Sequence, residues 1–494
     1  MTNKAHQSEQ EERIGKIKSL RDSGVDPFPS WNKERRAIAD FLDNFEMIGD
    51  SPVTVAGRIM SIRRQGGTTF AHVQDESGIV QFFIKKNEVG EEQYGLLKQS
   101  IDRGDIIAGH GTPMTTKKGE KSLMVQSFEL LTKTVMPLAE KRAGLKDRQT
   151  QLRKRYLDML SNPEVLERFK MKSKLINTIR EFLDNQGYIE VETPVLQPLY
   201  GGGFARPFNT KHNALGIDMY LRISTELYLK RFVVGGLEKV YEIAKMFRNE
   251  GVDKSHNPEF TMLETMAAYH DYTYNMDLIE QCYEFCAQKL LGSTDIIWDD
   301  QTISVARPWK RITMVDAISE HTGVDVSSWK SIKEAHAALK KAKISSDKIK
   351  TAHNVGLSIA LLFEERVEEK LIQPTIVYEY PVETSPLAKR VPGKPEFVER
   401  FEHFILGSEH GNNYSELNDP LELEERFIEE SKKAKAGSTV EDVHEPDHDF
   451  VEAMKHGMPP TTGAAIGIDR MAMLFTNAQT IRDVIPFPVL KPKK

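Results

Sequence analysis

Cysteine is nearly absent from this 494-residue chain, which has only Cys282 and Cys286. Two thiols cannot form a disulfide framework. Four apart in a helix-like stretch, MDLIEQCYEFCAQKLL, and without visible zinc partners, they read as buried thiols. No run approaches the roughly 18 apolar residues that cross a bilayer, and the opening MTNKAHQSEQEE lacks the apolar core of a secretory signal. A cytoplasmic protein with no membrane contact is therefore expected. Net positive charge is also lacking: 67 basic against 73 acidic residues give −6. Nothing global favours nucleic acid, although phosphate binding needs only a local patch. The candidate is KRAGLKDRQTQLRKRY, residues 141 to 156, which by itself reads as a solvated helix face. VHEPDHDF, residues 443 to 450, gathers His444, Glu445, Asp447 and His448, but no helix fixes their spacing and a solvated loop is expected. The tail KPKK touches RNA or only aids solubility.

What is present is length and mixed patterning. With 39% hydrophobic and 28% charged residues, 494 positions imply two or three globular domains. Residues 52 to 133 alternate short β-rich runs with Gly turns, which suggests a small barrel of the OB type. Two domains are drawn: an N-terminal helix and barrel over 1–145, and a second domain over 146–494. In the latter, FKMKSKLINTIREFLDNQGY has Phe169, Leu175, Ile176, Ile179, Phe182 and Leu183 at helical spacing, with Gly187 past its end. YIEVETP reads as a strand closed by Pro194. Strand patterns continue to about residue 270, residues 310 to 370 read as inserted helices, and strands return near the end. Strands grouped around inserted helices, without regular βαβ alternation, give the α+β class with an antiparallel sheet.

One stretch poses a chemical question. KVYEIAKMFRNE reads as a strand with Arg248 and Glu250 on one face, and EFTMLETMAAY as its return with Phe260, Met262, Glu264 and Met266 aligned. A cation, carboxylates and an aromatic on one face suit an aromatic, polyanionic ligand: the guanidinium grips a phosphate and Phe260 stacks on a base. TTGAAIGIDRMAMLF, residues 461 to 475, places Arg470 where a strand passes through a Gly-rich turn into a helix, a position favoured by phosphates. FEHFILGSEHGNNYSELND, residues 401 to 419, carries Glu402, Glu409 and Glu416. Carboxylates beside a triphosphate are what magnesium needs, but on a straight strand Glu402 and Glu409 fall on opposite faces, so a bulge near Gly407 is required. Period 2 aligns Asn412, Tyr414 and Glu416.

GYIEVETPVL, FRNE followed by HNPEFT, and GIDR resemble motifs 1, 2 and 3 of class II aminoacyl-tRNA synthetases. More narrowly, GGGFARPF, LRISTELYLKR, FRNEGVDKSHNPEFT, TSPLAKR, NNYSELND and IGIDRMAMLFT resemble the lysyl enzymes of that class. The likeness runs in order over nearly the whole chain, with motif 1 near 187–194, motif 2 at 247–264 and motif 3 at 463–475. It implies ATP-dependent activation of L-lysine and transfer to the 3′ end of tRNA(Lys), with Mg²⁺ as cofactor and a homodimer formed through motif 1 and Pro194. The catalytic arginines it implies are Arg248 and Arg470. Arg248, Asn249, Glu250, His256, Asn257, Phe260, Glu409 and the segment Gly467, Ile468, Asp469, Arg470 would bind ATP. Glu402 and Glu409 would hold metal, and Gly202, Glu226, Glu264, Met266, Asn412, Tyr414 and Glu416 would surround lysine. In the barrel, Phe70 would stack on an anticodon base, with Arg63, Gln81 and Glu129 on base edges. Two departures stand out: the family usually has tyrosine at Met266, and bacterial members often have arginine at Ser255. A relative that lysylates protein would lack the barrel, and a non-catalytic RNA-binding paralogue would have lost the ATP and magnesium residues.

Overall fold

The computed structural model describes residues 3–138, 145–203, 205–435 and 447–492, with side chains for all of these except 3–6 and 429–435. Residues 141–144 of the basic run, Phe204, His444 and Glu445 of VHEPDHDF, and the last two lysines of KPKK lie outside the described residues. The chain divides into two compact units, Met1–Lys146 and Asp147–Lys494.

In the first unit, strands Val53–Gln65, Thr68–Gln74, Ile79–Lys85, Lys121–Thr132 and Ile106–Thr115 pair in that order, and the last returns to the first, closing a barrel. The alternation that predicts it is visible in Thr68–Gln74, where Thr69, Ala71 and Val73 are buried and the intervening residues half-exposed. Each fully buried Val, Ile or Phe inside contributes about 1.5–3 kcal/mol. Phe82 packs so closely on Gly109 that a Cβ there would lie 2.6 Å from its ring.

The second unit is built on a nine-stranded sheet. Its main order is Lys310–Thr313, Thr375–Pro381, Lys394–Ile405, Ser408–Ser415, Thr461–Gly467, Glu259–Ala268, Lys239–Phe247 and Ile189–Glu190, parallel at both ends and antiparallel between. The helix Pro163–Asn185 begins with proline at its first position, buries Leu175, Ile179, Phe182 and Leu183, and is followed by Gly187 at φ 79°. Tyr272–Leu291 packs beside it, with Cys282 and Cys286 buried and free. The inserted helices, Met314–Thr322, Ile332–Lys341, Ser346–Thr351 and Val355–Arg366, are each capped by the side chain of the preceding residue, Thr313, Ser331, Ser345 or Asn354.

Three sequence expectations are corrected. The strand in YIEVETP is only Ile189–Glu190, because Thr193 turns its N–H and hydroxyl to Glu242 (3.1 and 2.7 Å) instead of continuing the ladder. The strand through KVYEIAKMF ends at Phe247, so Arg248 and Glu250 belong to a connecting loop, although the Arg248 N–H still reaches Pro258 O at 2.9 Å. In the basic run Arg155 is fully buried rather than solvated, donating to Asp158 at 2.9 Å and to the carbonyls of Arg482 and Pro486.

The barrel unit carries a buried charge cluster in which Lys133 meets Asp105 at 2.8 Å and Asp102 at 2.5 Å. Lys133→Met leaves Asp105 buried without its cation and is expected to destabilise this unit by about 3–5 kcal/mol. Urea unfolding followed by a barrel fluorescence probe checks it, and an unchanged midpoint would refute it.

Candidate active site

A cavity of about 290 Å³ opens on one face of the large sheet. Its wall includes Gly202, Glu226, Arg248, Glu264, Met266, Glu402, Glu409, Asn412, Tyr414 and Glu416, with the segment Thr384–Ala388 and Arg400. Strand register explains the convergence. Met266 and Tyr414 both pair with Gly463, forming one row across three strands, and Glu264 pairs with Ala465 in the next row. A Cβ on Gly463 would overlap Glu416 Oε1 and approach Met266 Cε to 3.0 Å, so the missing side chain leaves the room in which these groups meet.

Of the acids of this wall, Glu226, Glu264 and Glu416 are buried, and each is held. Glu264 accepts from Ser224 Oγ (2.9 Å), Thr225 N (2.8 Å) and Thr225 Oγ1 (2.5 Å). Burial raises its pKa, with Glu226 adding to the rise and the Thr225 and Ser224 bonds opposing it. Glu226 accepts from Lys230 Nζ at 2.5 Å, and Glu416 also contacts that ammonium. Burial, reinforced by Glu226 and Glu264 and opposed by Lys230, pushes Glu416 up to about 8. The Tyr414 hydroxyl faces Glu226, so a hydroxyl enters the row of Met266 from the other side of Gly463.

At the other end, Glu402 and Glu409 stand on the two arms of a hairpin turning at Leu406 and Gly407 (φ 58° and 65°). A register shift at His403/Phe404, with that turn, brings residues seven apart in sequence to one wall. Arg400 donates to Glu402 (2.5 Å), Asn412 (2.8 Å) and Ser385 (2.7 Å), and the Tyr380 hydroxyl donates to Glu402 at 2.8 Å. Burial and Glu409 outweigh these donors and lift Glu402 to about 7. Arg248 makes only long contacts to Ile223 O (3.4 Å) and stacks 5.2 Å from the Phe260 ring, leaving its guanidinium available to an anion.

The remaining candidates lie off the cavity wall. Phe260 is two residues beyond Met262, the partner of Gly467, and Arg470 follows at the start of the helix Ile468–Phe475, its guanidinium bound to Glu409 O. Glu250 and His256 are exposed on the loop; slight burial would raise Asp253, but bonds from His256 and the Ser255 and His256 N–H groups bring it down to about 2. Asn257 is buried, donating to Glu259 O at 2.6 Å and leaving Oδ1 unpaired. Ile468 is core, and the Asp469 carboxylate is committed to Lys172 and to Thr261 N (2.7 Å). The sequence reading of Ile468 and Asp469 as nucleotide contacts is therefore corrected for their side chains.

A profile for tRNA synthetases class II (D, K and N) matches residues 147–491, and one for an OB-fold nucleic acid binding domain matches 53–131. The chain is a class II aminoacyl-tRNA synthetase. Among its relatives, the lysine–tRNA ligase of Thermoanaerobacter pseudethanolicus is 49% identical over 97% of this chain and 95% of that protein. Those of Pelotomaculum thermopropionicum (47%; 98% and 94%) and Clostridium perfringens (48%; 99% and 97%) are comparable.

In this synthetase the barrel's outer face carries Arg63 over the Phe70 ring (5.3 Å) and Phe83 beside it, ring centres 4.9 Å apart. Phe70 points outward between buried Thr69 and Ala71, so it is not barrel core. Gln81 donates to Glu120 at 2.7 Å, and His72 pairs with the same carboxylate. The structure does not bring Glu129 to this patch. It lies five residues past Met124, the partner of Phe83, or about 17 Å along the strand, and pairs with Lys33 at 2.5 Å. Residues the sequence reading missed are Ser224, Thr225, Lys230, Tyr380, Arg400 and Glu120. Only Arg400, two before Glu402, carried a periodic signal.

The raised carboxylates set the pH dependence of stability. Glu402 and Glu416 bind protons more tightly folded than at the ordinary value of 4.5, so raising pH through the window from there to about 8 removes stability. The ligand-free protein's Tm is expected to fall between pH 5.5 and 8.5, and Glu402→Gln to flatten that slope; an unaltered slope in the variant would contradict the assignment.

Proposed function

We propose that this synthetase is a lysine–tRNA ligase, activating L-lysine with ATP to the adenylate and passing the lysyl group to the 3′ end of tRNA(Lys). The observation that carries it is the wall of Glu226, Glu264 and Glu416 with the Tyr414 hydroxyl. A side-chain ammonium leaving water needs such acceptors, whereas aspartate or asparagine would meet repulsion or unpaired acids. The lysine carboxylate attacks the α-phosphorus as pyrophosphate leaves, and being ionised it needs no general base. Arg248 sits where it can grip that carboxylate and the α-phosphate, with Phe260 and Arg470 flanking the adenine. Among the described residues no cluster of three or more His, Cys, Asp or Glu is arranged to chelate a metal. Glu402 and Glu409 would therefore hold Mg²⁺ jointly with phosphate oxygens and water, and the ion supplies neutralisation of the phosphates when bound. Gly202 and Asn412 would border the amino acid, while Asn249, Glu250, His256, Asn257 and the backbone of Gly467–Arg470 would border ATP.

Arg63, Phe70 and Gln81 would read the anticodon, with Glu120 in the place first assigned to Glu129. A homodimer through motif 1 is supported by Ile189, Val195 and Leu196 beside Pro194, which are 51, 40 and 45% exposed. No helix is long and apolar enough to cross a membrane.

ATP–pyrophosphate exchange with each amino acid, with Mg²⁺ and no tRNA, is expected with lysine alone; exchange with aspartate or asparagine instead would overturn the reading. Tyr414→Phe is expected to raise the lysine KM about tenfold, the value of a hydrogen bond to a charged group, with the ATP KM unchanged. Equal loss in both constants would mean that the hydroxyl does not serve the amino acid. Phe70→Ala is expected to weaken tRNA charging while exchange stays intact, and loss of both would make Phe70 structural.

A further inference from the structure

Behind the acid end of the cavity lies a cation that does not border it. Lys230, 1% exposed on the helix Glu226–Val234, one turn from Glu226, places Nζ 2.5 Å from Glu226 Oε1 and against Glu416 Oε2. Tyr414 and Phe450 rings lie 5.7 and 5.8 Å away, so carboxylates and aromatic faces surround the ammonium. Glu416 Oε1 accepts no hydrogen bond and stands over Gly463, on the cavity side. Three carboxylates and one ammonium leave a formal charge of −3 + 1 = −2 at this end. That equals the two ammonium groups of a diamino acid whose carboxylate meets Arg248.

We propose that Lys230 is a positioning residue that determines specificity. It holds Glu226 and Glu416 apart and favours their ionised forms, so that with all three acids ionised the pocket stands at two negative charges, matching a substrate with two ammonium groups and not one with a single group. This rests on the reading of lysine as substrate. Without Lys230 three buried carboxylates would repel, and the cheapest relief is a proton on Glu416, which would then donate where it must accept. The groups facing Glu416 are Lys230 and Glu226 from the helix, Glu264 from the strand beyond Thr461–Gly467, and Tyr414 two residues before it. The adjoining helix His448–Lys455 offers Phe450, while Asp449 and the capping Asp447 are paired with Arg231.

The test uses full-length Lys230→Gln and Lys230→Arg in lysine-dependent ATP–pyrophosphate exchange from pH 6.5 to 9. Lys230→Gln is expected to raise the lysine KM about tenfold or more, as for loss of a charge-assisted contact, with the ATP KM and kcat held within about twofold. The defect should narrow as pH rises and Glu416 ionises, and Lys230→Arg should restore most of the affinity. A wild-type lysine KM in Lys230→Gln, or a fall in kcat and both affinities at every pH, overturns the proposal. If Lys230→Gln does not fold, Lys230→Gln with Glu416→Gln returns the pocket to −2, whereas Glu416→Gln alone stands at −1. The double variant is then expected to bind lysine more tightly than the single one, and the reverse order overturns the charge match. Absence of lysine exchange in the wild type would instead defeat the substrate reading itself.

Discussion

A carboxylate buried in a β-sheet must find donors or cations, and this constraint organises the catalytic unit. Glu242 and Glu264 stand directly opposite each other on paired strands, an arrangement that repulsion disfavours. One segment resolves it: Arg222 donates to Glu242 at 2.7 Å, while Ser224 and Thr225 hold Glu264. Residues 222–225 are thus fastened across the hairpin, and the helix carrying Glu226 and Lys230 starts from that fastening. Asp469, held by Lys172 and Thr261, does the same where the helix Ile468–Phe475 leaves the sheet. Removing one partner of such a pair costs more than the pair adds, because a bare charge remains.

The same constraint explains the small residues of the strand Thr461–Gly467. Gly463, Ala464 and Ala465 line the cavity between strands that bring Glu264 and Met266 from one side and Asn412, Tyr414 and Glu416 from the other. Side chains from both neighbours can share one space only if the strand between them offers almost none. Packing in the sheet and the shape of the site are therefore set by the same residues, and bulk added at Gly463 would disturb both.

This also marks what could be read from the sequence. Local periodicity shows the barrel strands, the long hairpin, the capped helices and the α+β class, because each depends on spacings of two or four residues. The parity of Phe260, Met262, Glu264 and Met266 and that of Asn412 and Tyr414 survive because both runs are strands in the structure, and Glu416 keeps it just past the second strand's end through a bridge to Ala388. What depends on distant partners was hidden. Asp469 sits within a motif that suggests a phosphate turn, yet its charge is used by Lys172, 297 residues away. Glu129 and Glu120 lie on and beside one strand of the barrel, and only cross-strand register shows which of them stands beside Gln81. Lys230 was passed over because a lysine one turn after a glutamate ordinarily reads as a surface pair. Here both partners are buried.

Charge along the cavity then orients whatever enters it. One part of the wall holds Glu226, Glu264 and Glu416 backed by Lys230, another holds Glu402 and Glu409 with Arg400 already paired, and Arg248 lines the same cavity. In the proposed reading, a zwitterion with a cationic side chain is matched in one sense, with its ammonium groups toward the three acids and its carboxylate toward Arg248. That sense leaves the carboxylate facing the end where a cation between Glu402 and Glu409 could hold a polyphosphate. In the proposed reaction, attack on phosphorus needs no proton transfer, only that two anionic groups be kept close together, which is the part proposed for Arg248 and, with a metal ion, for Glu402 and Glu409. In the proposed reading, the acids that select the side chain thus also aim the reacting group toward the phosphate end.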